Sequence, residues 1–363
     1  MAKSKLKRAL VAPLDWGMGH TARCVPIIRY LIESHVHVVF AGNKNQQAYI
    51  SSRFPQLELV DLDGYDIVYG TSKLGNKLTI AAQLTQLGKK IKTEHEWLKK
   101  NVTTIQPDLI ISDNRYGLYA SDINSVILTH QLQIMTGVGA LGDMVVQKYH
   151  YSLLNKFSEV WVPDVATAPG LAGKLAHPGS LPSNMKYIGL LSRYADQPVT
   201  NEGNFTLALL SGPEPQRSIF EQELREQFKA GGKHITIVGG TWSKDAALPE
   251  EGGITYYSQP DETTLFDLIA KAKVVISRSG YSTLMDLVAM GKKAIVVPTP
   301  GQTEQEYLAK SLAENGTFMA GEQGKSNFPS LVERSQNFVP KFPFSNADFM
   351  GFKSVVDEAI GGV

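Results

Sequence analysis

Three features are scarce in this sequence of 363 residues, and each scarcity excludes a class of protein. The only cysteine is Cys24, so no disulfide can form within the chain, as is usual in a reducing cytoplasm. The formal net charge is only +1, which gives no large field of one sign and argues against nucleic acid as a partner. No stretch approaches the roughly 20 apolar residues of a membrane span. We therefore expect a globular cytoplasmic protein without a transmembrane segment.

The chain does contain two series of strand-like and helix-like segments. The first series begins with an apolar strand at 9–13, and the second begins at 205 after a polar stretch, 192–204, that has no periodicity. Alternation of strands and helices predicts an α/β protein with mostly parallel, doubly wound sheets. We predict one domain over 1–191, a second over 205–340, and an amphipathic helix within 345–363.

One continuous segment near the C-terminus, residues 274–298, has the pattern of a phosphate site. An apolar strand leads into Arg278-Ser279-Gly280, and the helix that follows contains Thr283 and Asp286. A glycine at this turn lets backbone N–H groups approach a ligand, and the N-terminus of a helix favours an anion. On spacing alone, an ordinary strand-turn-helix unit explains the segment equally well.

The residues after Pro298 add weight to the phosphate interpretation. Gln302, Gln305 and Glu306 lie in a predicted polar loop at the carboxyl end of the next strand. Open α/β sheets place their ligands at that edge. The whole pattern, Arg-Ser-Gly-x-x-Thr-x-x-acid followed by a Gln/Glu loop after a proline, closely resembles the nucleotide-sugar half of glycosyltransferase family 28, the family of the peptidoglycan UDP-N-acetylglucosamine transferase.

The resemblance implies a fold and a chemistry. The fold is GT-B, two Rossmann-like domains facing a cleft, with the donor bound by the second domain and the acceptor by the first. The C-terminal helix packs back on the first domain in that family. The chemistry is inverting transfer of a sugar from a UDP-linked donor to an acceptor hydroxyl, with no metal and no cofactor beyond the nucleotide sugar.

The resemblance also implies donor contacts in the second half. Asp286 stands where the family has a glutamate on the ribose hydroxyls, and Tyr257 stands where backbone atoms pair with the uracil. Gln305 and Glu306 stand on the Gln-Gln pair that contacts the sugar, and the Glu in place of Gln leaves the identity of the sugar open. The other predicted donor-side residues are Ser211, Gly212, Gln216, Arg217, Gly240, Thr241, Arg278, Ser279, Gly280, Thr283 and Gln302.

The first half opens with a glycine turn that admits two interpretations. Gly17 and Gly19, after a strand and before a helix, fit a dinucleotide-binding fingerprint, but the second strand ends in Ala41-Gly42-Asn43-Lys44 without the expected acidic residue. In transferases resembling this chain, a glycine-then-histidine turn carries the residue that activates the acceptor. We therefore predict His20 as the general base, with Asp113 orienting it.

Some first-half features keep a second interpretation. His130 follows another strand and is predicted to line the acceptor side. For His20 the alternative is a solvated side chain, since a lone histidine in a turn is more often solvated, and for Asp113 the alternative is an Asx turn. Asp61-x-Asp63 matches the metal-binding motif of the other large transferase fold, but we interpret it as an acidic loop. The helical stretch 78–100 carries five lysines, either as a solvated face or as a basic rim that touches an anionic membrane and receives a lipid-linked acceptor.

Three functions besides glycosyl transfer remain open at this point. A sugar-nucleotide epimerase can use the same fold, an NAD(P)-dependent oxidoreductase would use the glycine turn of the first half, and a non-catalytic subunit would bind the nucleotide sugar without turnover.

Overall fold

The computed structural model describes residues 7–64, 75–135, 140–199, 203–240 and 248–361, except for the side chains of 75–86, 140–141 and 248–251. The described residues divide into two compact units. The first comprises those up to Arg193 together with those from Ser345 onward, and the second comprises Tyr194 to Phe344. Among the predicted site residues, Thr241 lies outside the described residues.

The first unit is built on a seven-stranded parallel sheet. Its strand order is β3-β2-β1-β4-β5-β6-β7, and every neighbouring pair is parallel. The apolar residues of β1 and β4 are almost fully buried, which is expected for central strands of a sheet covered by helices on both faces. Its elements are β1 (Arg8–Pro13), α1 (Gly19–Glu33), β2 (His37–Gly42), α2 (Lys44–Ser51), β3 (Glu58–Asp61), α3 (Gly75–Ile105), β4 (Leu109–Asp113), β5 (Asn124–Leu128), α4 (Ala140–Leu154), β6 (Glu159–Val162) and β7 (Met185–Tyr187).

The second unit repeats this plan with a second seven-stranded sheet. Its strand order is β10-β11-β9-β8-β12-β13-β14, and only β10 runs antiparallel to its neighbour. Its elements are β8 (Phe205–Leu209), α5 (Gln216–Ala230), β9 (Ile235–Val238), β10 (Leu248–Glu251), β11 (Ile254–Tyr257), α6 (Glu262–Lys271), β12 (Ala272–Arg278), α7 (Tyr281–Ala289), β13 (Ala294–Val297), α8 (Thr303–Glu314), β14 (Met319–Ala320) and α9 (Phe328–Ser335). The predicted fold class, two doubly wound α/β domains, is confirmed.

Two local predictions were wrong. The polar segment after Pro298 is a loop only as far as Gln302, because α8 begins at Thr303 and carries both Gln305 and Glu306. Good helix-forming residues and two acidic side chains in the first turn favour that helix. The predicted helix over 346–360 is two pieces, a 3₁₀ turn at Asn346–Phe349 and α10 (Phe352–Ala359), since the chain turns at Met350 and Gly351 between them.

The C-terminal segment belongs to the first unit and packs on α1. The hydroxyl of Tyr30 lies 2.8 Å from both carboxylate oxygens of Asp357, and the rings of Tyr30 and Phe352 meet edge to face at 5.9 Å. The N–H of Leu190, just after β7, donates to the carbonyl of Asp348 at 2.7 Å. Apolar packing and hydrogen bonds together therefore anchor this segment. Among the helices of the described residues, none is long and apolar enough to span a membrane.

Gly189 lets the chain pass close to that segment, which gives a test of the anchoring. Its φ is +79°, and a Cβ there would lie 2.3 Å from the carbonyl oxygen of Asp348. Gly189→Ala should therefore lower the free energy of unfolding by roughly 2–4 kcal/mol, from left-handed backbone strain and the clash. Urea denaturation measures the change. Gly179→Ala is the control, because a Cβ at Gly179 meets nothing within 4 Å, and equal stability of the two variants would contradict the anchoring.

Candidate active site

The predicted catalytic pair of the first unit and the predicted acceptor-side residue His130 lie at or after the ends of three neighbouring strands. β1, β4 and β5 are adjacent in the sheet, and their carboxyl ends lead into His20, Asp113 and His130 respectively. The order of strands reverses beside β1, which pairs with β2 on one side and β4 on the other. Ligands of open α/β sheets bind at such a switch point.

His20 occupies the first turn of α1, not the preceding loop as the sequence suggested. Gly17 has φ +66°, a backbone conformation that lets the loop turn sharply into this helix, and Gly19 is the first helical residue. The Nδ1 atom of His20 lies 2.9 Å from Oδ1 of Asp113. The His20 side chain is 16% exposed while that of Asp113 is fully buried, so a substrate can reach only the histidine.

Asp113 ends β4 and is the buried anion of this site. Arg23 donates from Nε and Nη2 to the two carboxylate oxygens of Asp113. Burial by itself would raise the pKa of Asp113, but Arg23 and His20 outweigh it and hold that pKa well below its usual range. Asp113 is therefore ionised at neutral pH.

Sequence reasoning missed Arg23, although a signal was present. Arg23 follows His20 by three residues on α1, and residues at that spacing lie on the same face of a helix. Its side chain is almost completely buried. Its Nη1 lies 3.2 Å from Nδ1 of His130, and its Nη2 lies 2.9 Å from Nδ1 of His20. Arg23 thus joins His20, Asp113 and His130 into one network.

The environment of His20 keeps the ring neutral at pH 7. Burial is the main cause that lowers the pKa of His20 from its ordinary value of 6.5. Asp113 opposes this effect, whereas Arg23 and His130 add to it. A neutral imidazole has one unprotonated nitrogen, which can accept a proton.

The second unit gathers its candidate donor residues in the same topological place. β8, β12 and β13 are adjacent, and the strand order reverses beside β8, which pairs with β9 and β12. Their carboxyl ends lead into Gly212, Gly280 and Thr299. Ser211 and Gly212 are exposed in the loop after β8.

Gly280 differs from the other glycines of this edge in having no structural need to be glycine. It is the N-cap residue of α7 with an ordinary φ of −75°, and a Cβ there would meet nothing within 4 Å. Gly240, in contrast, has φ +65°, and its Cβ would lie 2.6 Å from the carbonyl of Leu210. The backbone conformation and the close carbonyl therefore require glycine at position 240. At Gly280 the missing side chain instead leaves open space at the positive end of a helix.

Gln305 and Glu306 shape the loop after β13 in this structure. The amide oxygen of Gln305 accepts from the N–H of Thr299 at 2.8 Å, and its backbone carbonyl accepts from the Ser279 hydroxyl at 2.8 Å. The carboxylate of Glu306 accepts from the N–H of Gly301 at 3.0 Å. These contacts fix the loop against the turn that contains Gly280.

The two predicted arginines point their guanidinium groups at protein partners. Arg278 is buried and donates to the carbonyls of Pro298 and Gln216 and to the side chain of Gln323. Burial lowers the pKa of Arg278 to about 10. Arg217 forms ion pairs with Glu214 and Glu221.

The remaining predicted donor residues lie around the same edge. Asp286 is almost buried in α7, and Thr283 is half-buried in the first turn of that helix. Gln302 is the N-cap residue of α8, and the carbonyl of Tyr257 accepts from the N–H of Gly239 at 2.8 Å. That carbonyl is therefore already engaged in the protein.

Thr299 was not predicted, yet its hydroxyl is unusual. The side chain is 2% exposed, and its Oγ1 has no hydrogen-bond partner within the described part of the chain. Oγ1 lies 3.7 Å from the place where a Cβ of Gly212 would stand. The edge of the sheet beside the Gly212 loop thus contains an unsatisfied polar group. A buried hydroxyl without a hydrogen-bond partner is energetically unfavourable.

The Asp61 and Asp63 pair is part of the scaffold around these residues. The side chain of Asp61 accepts from Gln47, and the backbone carbonyls of Asp61 and Asp63 accept from Trp97 and Arg115. Over the residues that the structure describes, no group of three or more His, Cys, Asp or Glu side chains is placed to hold a metal ion.

The chain is similar to known glycosyltransferases. Residues 219–348 match the glycosyltransferase family 28 C-terminal domain. A protein of Methanosarcina mazei named as an uncharacterized glycosyltransferase is 23% identical over 333 residues, which cover 83% of this chain and 82% of the relative.

A shorter match and a structural match point the same way. A UDP-N-acetylglucosamine–N-acetylmuramyl-(pentapeptide) pyrophosphoryl-undecaprenol N-acetylglucosamine transferase of Mannheimia succiniciproducens is 32% identical over 116 residues, 32% of this chain and 31% of the relative. The glycosyltransferase of kitacinnamycin has a similar structure, with a TM-score of 0.65 at 16% identity over 99% of this chain and 96% of that one.

The chain is a glycosyltransferase with the GT-B fold, and the part of it that matches the family 28 C-terminal domain lies almost wholly in the second unit.

Proposed function

We propose that this glycosyltransferase moves a sugar from a UDP-linked donor to an acceptor hydroxyl, with inversion, without a metal ion, and with His20 as the general base. The observation that carries the proposal is the pairing of His20 Nδ1 with the buried Asp113 at 2.9 Å. When Nδ1 donates to Asp113, the opposite nitrogen, Nε2, is the proton acceptor.

The transfer step follows from this arrangement. As the acceptor oxygen attacks the anomeric carbon, its proton passes to Nε2 of His20, and the bond from that carbon to the diphosphate breaks. The nucleoside diphosphate leaves with the bonding electrons and an added negative charge. One displacement at the anomeric carbon inverts its configuration. Asp113 stabilises the imidazolium that forms, because the carboxylate is already ionised.

The donor assignment rests on the second unit. The N-terminus of α7 at Gly280 offers backbone donors and the positive end of a helix dipole, which suit a diphosphate. Uridine is proposed from the resemblance and from the relative named for its UDP-N-acetylglucosamine donor. The proposed donor-side residues are the predicted ones at this edge. Among them, Arg278 and Arg217 also bind protein groups and hold the loops of this edge in place.

The first test concerns Gly280. If a phosphate occupies the open space above it, Gly280→Ala should weaken UDP binding roughly tenfold or more, about 1.4 kcal/mol. The fold should tolerate the change, because φ is ordinary and the Cβ meets no atom. Isothermal titration calorimetry with UDP and UDP-sugars measures the affinity. Gly88→Ala is the control, since its Cβ also meets nothing within 4 Å and it lies on α3. Equal UDP affinity of wild type and Gly280→Ala would remove the phosphate from this turn.

The second test concerns His20. His20→Ala should lower kcat about 10²–10⁴-fold, the usual contribution of a positioned general base, and leave UDP affinity nearly intact. Since burial lowers the pKa of His20 from its ordinary value of 6.5, the wild-type rate should fall to half of its plateau value only below pH 6.5, as the ring becomes protonated. Turnover is measured by UDP release over lipid-linked and free hydroxyl acceptors. A variant that keeps normal turnover would exclude His20 as the base, and UDP binding without turnover by wild type would favour a non-catalytic subunit.

The third test concerns metal and stereochemistry. The proposed mechanism stabilises the leaving diphosphate with backbone donors and a helix dipole, so EDTA should leave the turnover rate unchanged within about twofold. Proton NMR of the product should show an anomeric coupling of the opposite configuration to that of the donor. Loss of activity in EDTA that Mg²⁺ or Mn²⁺ restores would overturn the metal-independent mechanism. A retained configuration would overturn the single displacement.

A further inference from the structure

Arg23 is the one strongly basic side chain within hydrogen-bond distance of His20 among the described residues. Its guanidinium contacts both oxygens of Asp113, Nδ1 of His20 at 2.9 Å and Nδ1 of His130 at 3.2 Å. A guanidinium carries only donors and stays charged at any pH at which the protein is folded. The contacts therefore constrain where the protons of the two histidines lie.

The constraint on His130 is direct. Because Arg23 Nη1 can only donate, Nδ1 of His130 must accept, and the proton of the neutral ring must lie on Nε2. The structure therefore assigns His130 the Nε2–H tautomer.

Asp113 and Arg23 compete for the Nδ1 atom of His20. Nδ1 of His20 lies 2.9 Å from Oδ1 of Asp113, which can only accept, and 2.9 Å from Nη2 of Arg23, which can only donate. With a proton on Nδ1 the ring donates to Asp113 and leaves Nε2 as a base. A ring protonated on both nitrogens still donates to Asp113, but its charge then stands beside the guanidinium.

We propose that Arg23 is a positioning residue that neutralises Asp113 and opposes a second proton on His20, so that His20 remains a proton acceptor in more acidic solution than an isolated His–Asp pair would. This inference rests on the proposed function, in which His20 is the base. The charged or titratable groups that face His20 are Asp113 from β4, Arg23 from α1 and His130 from the segment after β5. Asp113 alone favours the imidazolium, and Arg23 and His130 oppose it.

The balance predicts the sign of the effect of removing Arg23. Without the guanidinium, the carboxylate of Asp113 acts on His20 unopposed and stabilises the imidazolium. The pKa of His20 in Arg23→Gln should therefore rise by about one to three pH units above the wild-type value, the range for a charge within about 4–6 Å. Arg29→Gln, also on α1 and outside this network, is the matched control and should leave the pKa of His20 unchanged.

The test is an NMR titration of protein labelled with ¹³C and ¹⁵N in its histidines, with His20→Ala used to assign the His20 signals. It needs neither donor nor acceptor, so its result is independent of whether the proposed transfer is right. The same spectra of the wild type should show the Nε2–H tautomer of His130. An unmoved His20 pKa in Arg23→Gln, or a proton on Nδ1 of His130, would overturn the proposal.

Activity adds a readout that a purely structural role would not change. In Arg23→Gln the acid side of the pH–rate profile should move to higher pH by the same amount as the His20 pKa. Arg23→Lys keeps the charge and loses the two-pronged contact, so its pH profile should stay close to that of wild type. If Arg23→Gln does not fold, Arg23→Lys and the wild-type His130 spectrum test the proposal instead. A role of charge would be contradicted if the pH profile of Arg23→Lys moved upward as far as expected for Arg23→Gln.

Discussion

The ion pair between Arg23 and Asp113 organises the first unit's candidate site. A carboxylate at the end of a central strand, with no exposed surface, is unfavourable unless a positive group and hydrogen bonds compensate it. Arg23 supplies both from the helix that follows β1, and the same guanidinium contacts His20 and His130. The orientation of the His20 ring is thus a consequence of satisfying a buried anion. Removing either partner would leave the other charge buried and alone, which is why the network behaves as a unit.

The two units have similar sheet topologies but place different chemical groups at the switch point of the sheet. In each sheet the strand order reverses beside the first strand, β1 or β8, and the chain leaves room for side chains or a ligand at that edge. The first unit fills the place with charged and titratable side chains from α1, β4 and the segment after β5. The second unit leaves an exposed glycine loop, an uncapped helix N-terminus at Gly280 and a buried hydroxyl at Thr299. One edge is suited to moving a proton and the other to binding an anion.

The sequence predicts the positions of these residues better than the directions of their side chains. Strand ends follow from apolar runs bounded by polar residues, so Asp113, His130 and Gly280 could be placed at sheet edges correctly. Arg23 could not be found in the same way, because an arginine among apolar helical residues is usually solvated and its burial depends on the position of Asp113, 90 residues further along the chain. Arg278 and Gln305 show the same limit: motif matching locates the residues, but the three-dimensional neighbours decide that both side chains bind the protein's own backbone.

The contacts of Gln305 and Glu306 have a consequence for substitutions at these two positions. Both side chains accept hydrogen bonds from backbone N–H groups of the loop after β13, so a substitution that removes the acceptor at either position leaves an N–H of that loop without its partner. Glu306 in place of a glutamine keeps an acceptor for the N–H of Gly301, and the loop geometry survives the exchange. The first turn of α8 therefore supports the loop that leads into it, and the two elements should change shape together.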